Sequence, residues 1–61
     1  MDKTVINCIK SYAVNNGLEV VFPIGHRYYG VVFYDRLEGK YYNRHQDLFI
    51  PDEQLKIYNL I

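Results

Sequence analysis

The segment from His26 to His45, HRYYGVVFYDRLEGKYYNRH, reads nearly the same from either end. Aromatic and β-branched residues fill both arms, and Arg36-Leu37-Glu38-Gly39 lies between them. Such side chains suit the pleated, half-covered surface of a strand. Gly39 is free to take the positive φ that closes a turn. The pattern predicts an antiparallel hairpin of strands Tyr28–Asp35 and Lys40–His45. A four-residue loop sets Asp35 opposite Lys40, Tyr34 opposite Tyr41 and Phe33 opposite Tyr42, which pairs opposite charges and aromatic rings. A two-residue Glu38-Gly39 turn would shift the pairing and set Tyr34 against Asn43. Gly30, inside the first arm, marks a bulge or a close backbone approach.

The hairpin is flanked by other elements. Residues 3–16 read as a helix, with Asp2 placed to accept the free amide protons of the first turn. At 100° per residue Val5, Ile6, Cys8, Ile9, Tyr12 and Ala13 share one arc, the apolar face of an amphipathic surface helix. Gly17 can take the left-handed conformation that ends it. Leu18–Ile24 reads as a strand that Pro23 confines to an edge or to its final residues. Leu48-Phe49-Ile50 is short and apolar. Pro51, Asp52 and Glu53 then suit the start of a helix. From Leu55 to Ile61, alternation would make a strand, whereas the spacing of Leu55, Tyr58 and Ile61 would make a short helix; the N-terminal signals favour the helix. The fold expected is α+β: an N-terminal amphipathic helix on a small antiparallel sheet of three or four strands, with a short C-terminal helix, all in one domain over residues 1–61.

The order strand–strand–turn–strand followed by Ile50-Pro51-Asp52-Glu53-Gln54-Leu55-Lys56-Ile57-Tyr58 resembles small SH3-like barrels, in which a helical turn precedes a last strand. The resemblance covers residues 18–59 and implies, as an alternative, an SH3-like partial barrel with a final strand. The long leading helix departs from that pattern.

At 61 residues the chain buries only about 60% of the surface its unfolded form exposes, so a lone copy would be marginal. Cys8 is the one cysteine, so no internal disulfide can help, and its single occurrence fits a reducing compartment. Hydrophobic residues make up 49% of the chain and aromatic ones 16%, more than so small a core readily covers. The surplus predicts rings on the surface or a second subunit over them. Seven acids balance seven bases, which argues against a strongly basic nucleic-acid binder and gives little repulsion between copies. No apolar run is long enough to span a bilayer. The start, MDKTVINC, lacks a basic stretch followed by an apolar one, so the expectation is a soluble cytoplasmic protein, in the host cytoplasm if phage-encoded.

Side chains that could carry chemistry are sparse. Cys8 sits at the border of the apolar arc, where cysteine behaves as a small hydrophobe, and Ser11 lies on the polar helix face. Asp35 and Glu38 flank a turn, and Asp52 and Glu53 open a helix; both placements serve structure, and a pair of tuned acids would need a water-excluding pocket. His26, His45, Asp47 and Cys8 form no ligand spacing typical of a metal. No catalytic residue, cofactor or metal is expected, and enzymatic function is disfavoured.

The Tyr/Arg-rich hairpin remains. Interfaces between proteins are enriched in these two residues, which combine a large contact area with a polar handle. Arg27, Tyr28, Tyr29, Tyr34, Arg36, Tyr41, Tyr42 and Arg44 are the expected partner-binding residues, with each tandem pair of tyrosines sending one ring inward and one outward. The function expected is non-enzymatic binding of a protein partner by a small phage- or mobile-element-type inhibitor or adaptor, acting as a homodimer. The alternative is a single-stranded nucleic-acid module that stacks bases on the same rings. The four bases and two acids between His26 and His45 leave only a weak positive balance for phosphates.

Overall fold

The computed structural model describes residues 2–60. Its elements run α1 (Lys3–Asn15), β1 (Leu18–Val20), β2 (Val32–Asp35), β3 (Lys40–Asn43), β4 (Leu48–Phe49) and a 3-10 helix (Asp52–Tyr58). The arrangement is α+β, as the hydrophobic patterning predicts. The four strands form an antiparallel meander in the order β1-β2-β3-β4.

Asp2 caps α1: the Thr4 amide donates to Asp2 Oδ1 at 2.8 Å, giving a partner to one donor the first turn leaves free. The helix stops where Gly17 enters the left-handed region at φ 66°. Its buried stripe is narrower than the periodicity predicts. Ile9 and Ala13 are buried and Ile6 and Tyr12 half-buried, but Val5 and Cys8 are exposed. The sheet beneath is made of very short strands, and one stripe of Ile6, Ile9 and Ala13 suffices to cover it.

The hairpin has the four-residue turn. Asp35 pairs with Lys40, Tyr34 with Tyr41 and Phe33 with Tyr42. Asp35 closes it twice: its carbonyl accepts the Gly39 amide at 2.8 Å, and its Oδ1 accepts those of Leu37 and Glu38 at 3.0 and 3.1 Å. An aspartate in this position mimics a backbone turn with its own side chain.

Three of the expected strands are shorter than the residue pattern predicts: Leu18–Ile24 and Tyr28–Asp35 shrink to β1 and β2, and Lys40–His45 ends at Asn43, beyond which the chain turns. β1 ends at Val20, because Pro23 offers no amide to a ladder and the chain bends at Phe22. From Pro23 to Val32 it winds through successive turns, with His26 donating to the Pro23 carbonyl, Tyr29 to that of His26, and Val31 to that of Tyr28, each at 3.0 Å. Tyr28–Val31 is therefore turn, not strand. Gly30 is where it meets α1: a Cβ placed there would lie 2.6 Å from Ile9 Cδ1, so the close backbone approach expected of this glycine is realised.

The period-two alternation of a strand divides the sheet between two cores. On the α1 side Phe33 and Tyr29 pack with Ile9 and Ala13, flanked by Ile6, Tyr12 and Leu18. On the other side Val32 packs with Phe22, Ile50 and Leu55, flanked by Tyr28, Tyr41 and Tyr58. The C-terminal helix is 3-10 rather than α, with Pro51 as its N-cap, one residue ahead of the expected position, and Asn59 at φ 59° as its stop. It docks on the sheet through Asn43, which is buried. The Asn43 Nδ2 donates to the Tyr58 hydroxyl at 3.4 Å, and its Oδ1 accepts the Gln46 amide at 3.1 Å.

No strand follows this helix among the described residues, and the sheet stays open, which overturns the SH3-like alternative. Ile61, part of the ambiguous C-terminal segment, lies outside the described residues. No described helix is long and apolar enough to cross a membrane.

Candidate functional site

The eight hairpin residues do not form one surface. Because both faces of the sheet are covered, the expected division into an inner and an outer set of rings gives way to three separate locations. Arg27 and Tyr28 lie in the loop before β2, beside the C-terminal helix, where the Tyr28 ring meets Tyr58 edge-on at 4.7 Å and the Arg27 guanidinium lies 5.8 Å from the Tyr28 ring centre. Tyr34 and Tyr41 meet edge-on at 5.0 Å on the face away from α1, and Arg36 pairs with Glu19 at that end of the sheet. Tyr42 faces α1 from β3, and Arg44 lies 4.2 Å from the Tyr12 ring centre.

Tyr29 is corrected outright. It is buried under α1 with its hydroxyl unpartnered, so it presents no surface to a partner. Alternation cannot apply to Tyr28 and Tyr29, since neither is in a strand; the turn instead sends one ring to each core.

The first of these locations holds a polar hollow of about 270 Å³ lined by His26, Arg27, Tyr28, Ile57, Tyr58 and Asn59. Its wall is held by His26, whose ring stacks on Phe22 at 4.3 Å and whose Nδ1 accepts the Tyr28 amide at 3.1 Å.

The more concentrated chemistry lies on the α1 side. A cleft of about 180 Å³ opens under the C-terminal end of α1, lined by Tyr12, Asn16, Leu18, Asp35, Tyr42 and Phe49. Each residue comes from a different part of the fold: Tyr12 from the last turns of α1, Asn16 from its cap, and the others from β1, β2, β3 and β4 in turn. The Tyr42 and Phe49 rings, placed opposite each other by the β3–β4 register, stand 6.0 Å apart at 72° and make a corner. The Tyr42 hydroxyl donates to Asp47 Oδ1 across the turn that joins these strands. Asp47 holds φ 55°, a left-handed conformation uncommon outside glycine, asparagine and aspartate. Sequence patterning places Tyr12 only on the apolar helix face and gives Phe49 no role, because Tyr12 reaches the cleft through the docking of α1 and Phe49 through the pairing of β4 with β3.

The hydrogen bond to Asp47 holds the Tyr42 phenol well above its ordinary range, with partial burial adding to the effect. A phenol whose folded pKa is raised gives a stabilisation that is complete below its unfolded value of about 10 and is lost as the pH rises through the folded value. Tyr42 should therefore ionise well above the ordinary phenol value of about 10 in a pH titration followed by NMR, and the domain should lose stability above about pH 10. D47N should lower the Tyr42 ionisation. Tyr42 ionising at the ordinary value of about 10 in the wild-type protein would contradict this bond.

Among the described residues, no three His, Cys, Asp or Glu side chains gather as a metal would need. The two hollows are below the roughly 300–1,000 Å³ of a site for a drug-sized ligand, though they are large enough for a single side chain. Comparison with protein-family models, with curated proteins and with solved structures finds no match for this chain.

Proposed function

We propose that this chain is a non-enzymatic protein-binding module, of the small inhibitor or adaptor type carried by phages and mobile elements, and that it works as a homodimer. The observation that supports this most is β4. It is an edge strand, and both of its residues are apolar and exposed, Leu48 at 63% and Phe49 at 42%. Apolar side chains exposed together at a sheet edge offer another chain a surface to cover, and because β4 is two residues long the contact would rest on these side chains and one free backbone position. The Ile50 amide donates to the Tyr41 carbonyl at 2.8 Å, so by antiparallel alternation the Phe49 backbone points away from β3. Leu37, Val14 and Ile57 add exposed apolar surface elsewhere.

The single-stranded nucleic-acid alternative draws less support. Such a site wants rings and cations along one track. Here Arg27 and Tyr28 lie apart from Tyr12 and Arg44, and Arg36 is paired with Glu19.

The test uses the variant L48D, whose position is 63% exposed and is not among the residues lining the cleft, with its fold checked by circular dichroism. Wild-type protein should sediment as a dimer at micromolar concentration and should capture a protein from its source cell. The variant should be monomeric or should lose the captured protein. A monomeric wild type would overturn the homodimer, a wild type that captures nothing would overturn the protein partner, and a variant that behaves as wild type in both respects would overturn the role of β4.

A further inference from the structure

The cleft under the end of α1 combines three features that attract positive charge. Its walls include three aromatic rings, Tyr12, Tyr42 and Phe49, whose faces carry partial negative charge. Its rim includes Asp35, a half-buried carboxylate. The one ion pair among the described residues joins Arg36 to Glu19, so Asp35 has no cation of its own, although Lys40 is its neighbour across the hairpin. Finally, Asn16 and Tyr12 bring the C-terminal end of a 13-residue helix to the cleft, and the last turn of that helix holds no basic residue to offset its negative pole.

The chain's own cations already respond to these rings. Lys40 Nζ lies 5.4 Å from the centre of the Phe49 ring, and the Arg44 guanidinium lies 4.2 Å from that of Tyr12. Neither residue is among those lining the cleft, so both would compete with a ligand only through the rings they share with it.

We infer that this cleft is a recognition site for the ammonium group of a lysine side chain on a protein partner. The inference rests on the protein-binding proposal and names the chemistry by which one part of that contact would be made. Size favours lysine: about 180 Å³ accepts one side-chain head and little more. Shape favours it too. Rings at 72° form a corner that suits a compact point charge, whereas a planar guanidinium prefers to lie flat on a ring. The cleft opens next to the exposed edge strand β4, so a segment lying along that edge could send a side chain into it.

The test uses a small probe and not the unidentified partner. Nα-acetyl-lysine methylamide is titrated into the full chain while the ring proton signals of Tyr12, Tyr42 and Phe49 are followed by NMR, with Nα-acetyl-norleucine methylamide as the uncharged control. Lysine should give saturable shifts at these rings and norleucine should not. D35N keeps the Oδ1 acceptor that Leu37 and Glu38 use, so the turn survives while the charge is removed. It should weaken lysine binding about fivefold, the effect of losing one partly screened ionic contact. K40M, which removes a competing cation from the Phe49 face, should bind lysine at least as tightly as wild type. Equal shifts from lysine and norleucine, equal affinity in D35N and wild type, or loss of binding in K40M would each overturn the inference. Failure of this probe strikes the chemistry of the cleft alone; failure of the capture experiment strikes the protein-binding proposal.

Discussion

Replacing Phe33 by alanine should remove most of the stability of this domain. Phe33 has no solvent exposure, lies at the centre of the sheet, and packs under α1 with Ile9, Ala13 and Tyr29. Its ring also meets Tyr12 at 5.3 Å. Truncating a fully buried phenylalanine costs about 3–5 kcal/mol, from lost transfer energy and from the cavity left behind. At about 0.05–0.15 kcal/mol per residue, a domain of this length has only about 3–9 kcal/mol in total. F33A should therefore be partly or wholly unfolded at 25 °C, as read by circular dichroism and denaturant titration. L37A is the control, because Leu37 is 93% exposed at the hairpin tip and its loss should move stability by no more than about 0.5 kcal/mol. A folded F33A with a loss near that of L37A would show that the α1-side core is not what holds the sheet.

The second large effect is expected at Gly30. Its φ of 79° already disfavours any other residue, at about 1–2 kcal/mol. A Cβ there would also press within 2.6 Å of Ile9 Cδ1 and 3.2 Å of Ile9 Cγ1, so the buried Ile9 side chain must shift within the core to make room. Overpacking of this kind adds about 1–3 kcal/mol, so G30A should cost about 2–5 kcal/mol in all. Gly17 separates the two causes. It has a similar φ of 66°, yet nothing lies within 4 Å of the Cβ it would gain, so G17A should cost the backbone strain alone. I9V sharpens the test by removing Cδ1. It should cost about 0.5–1.5 kcal/mol in the wild-type protein, but should be neutral or restoring in the G30A background. Simple additivity of the two substitutions would contradict the contact.

What was legible in the sequence follows the range of the interaction that decides it. The Asp2 cap, the Gly17 stop and the hairpin register are local, since each depends on a few consecutive residues and on hydrogen bonds within the same turn. Asp35 illustrates this: the same residue pairs with Lys40 in the ladder and binds two turn amides through its side chain. The ends of the strands were not legible, because they depend on tertiary choice. Tyr28–Val31 has strand-forming residues, but the chain there winds through turns closed by the Tyr29 and Val31 amides, and the two rings still reach opposite cores. The candidate site was legible in residue type and not in assembly. Tyr42 and Arg44 could be singled out from the hairpin, but Tyr12 and Phe49 reach the cleft only through the docking of α1 and the pairing of a two-residue strand. The Tyr/Arg composition suggested one surface; coverage of the sheet on both faces splits it into three.

That split decides which rings a partner can meet, and it is open to direct measurement. Tyr41 and Tyr42 are adjacent in sequence and point to opposite faces, so their neighbours should differ completely. In a nuclear Overhauser spectrum, the Tyr42 ring should give cross-peaks to the Phe49 ring and to Tyr12 on α1, while the Tyr41 ring should give them to Tyr34 and to the core beside the 3-10 helix. The opposite pattern, with Tyr42 touching the 3-10 helix side and Tyr41 the α1 side, would contradict the register, and with it the cleft and the binding face built on it.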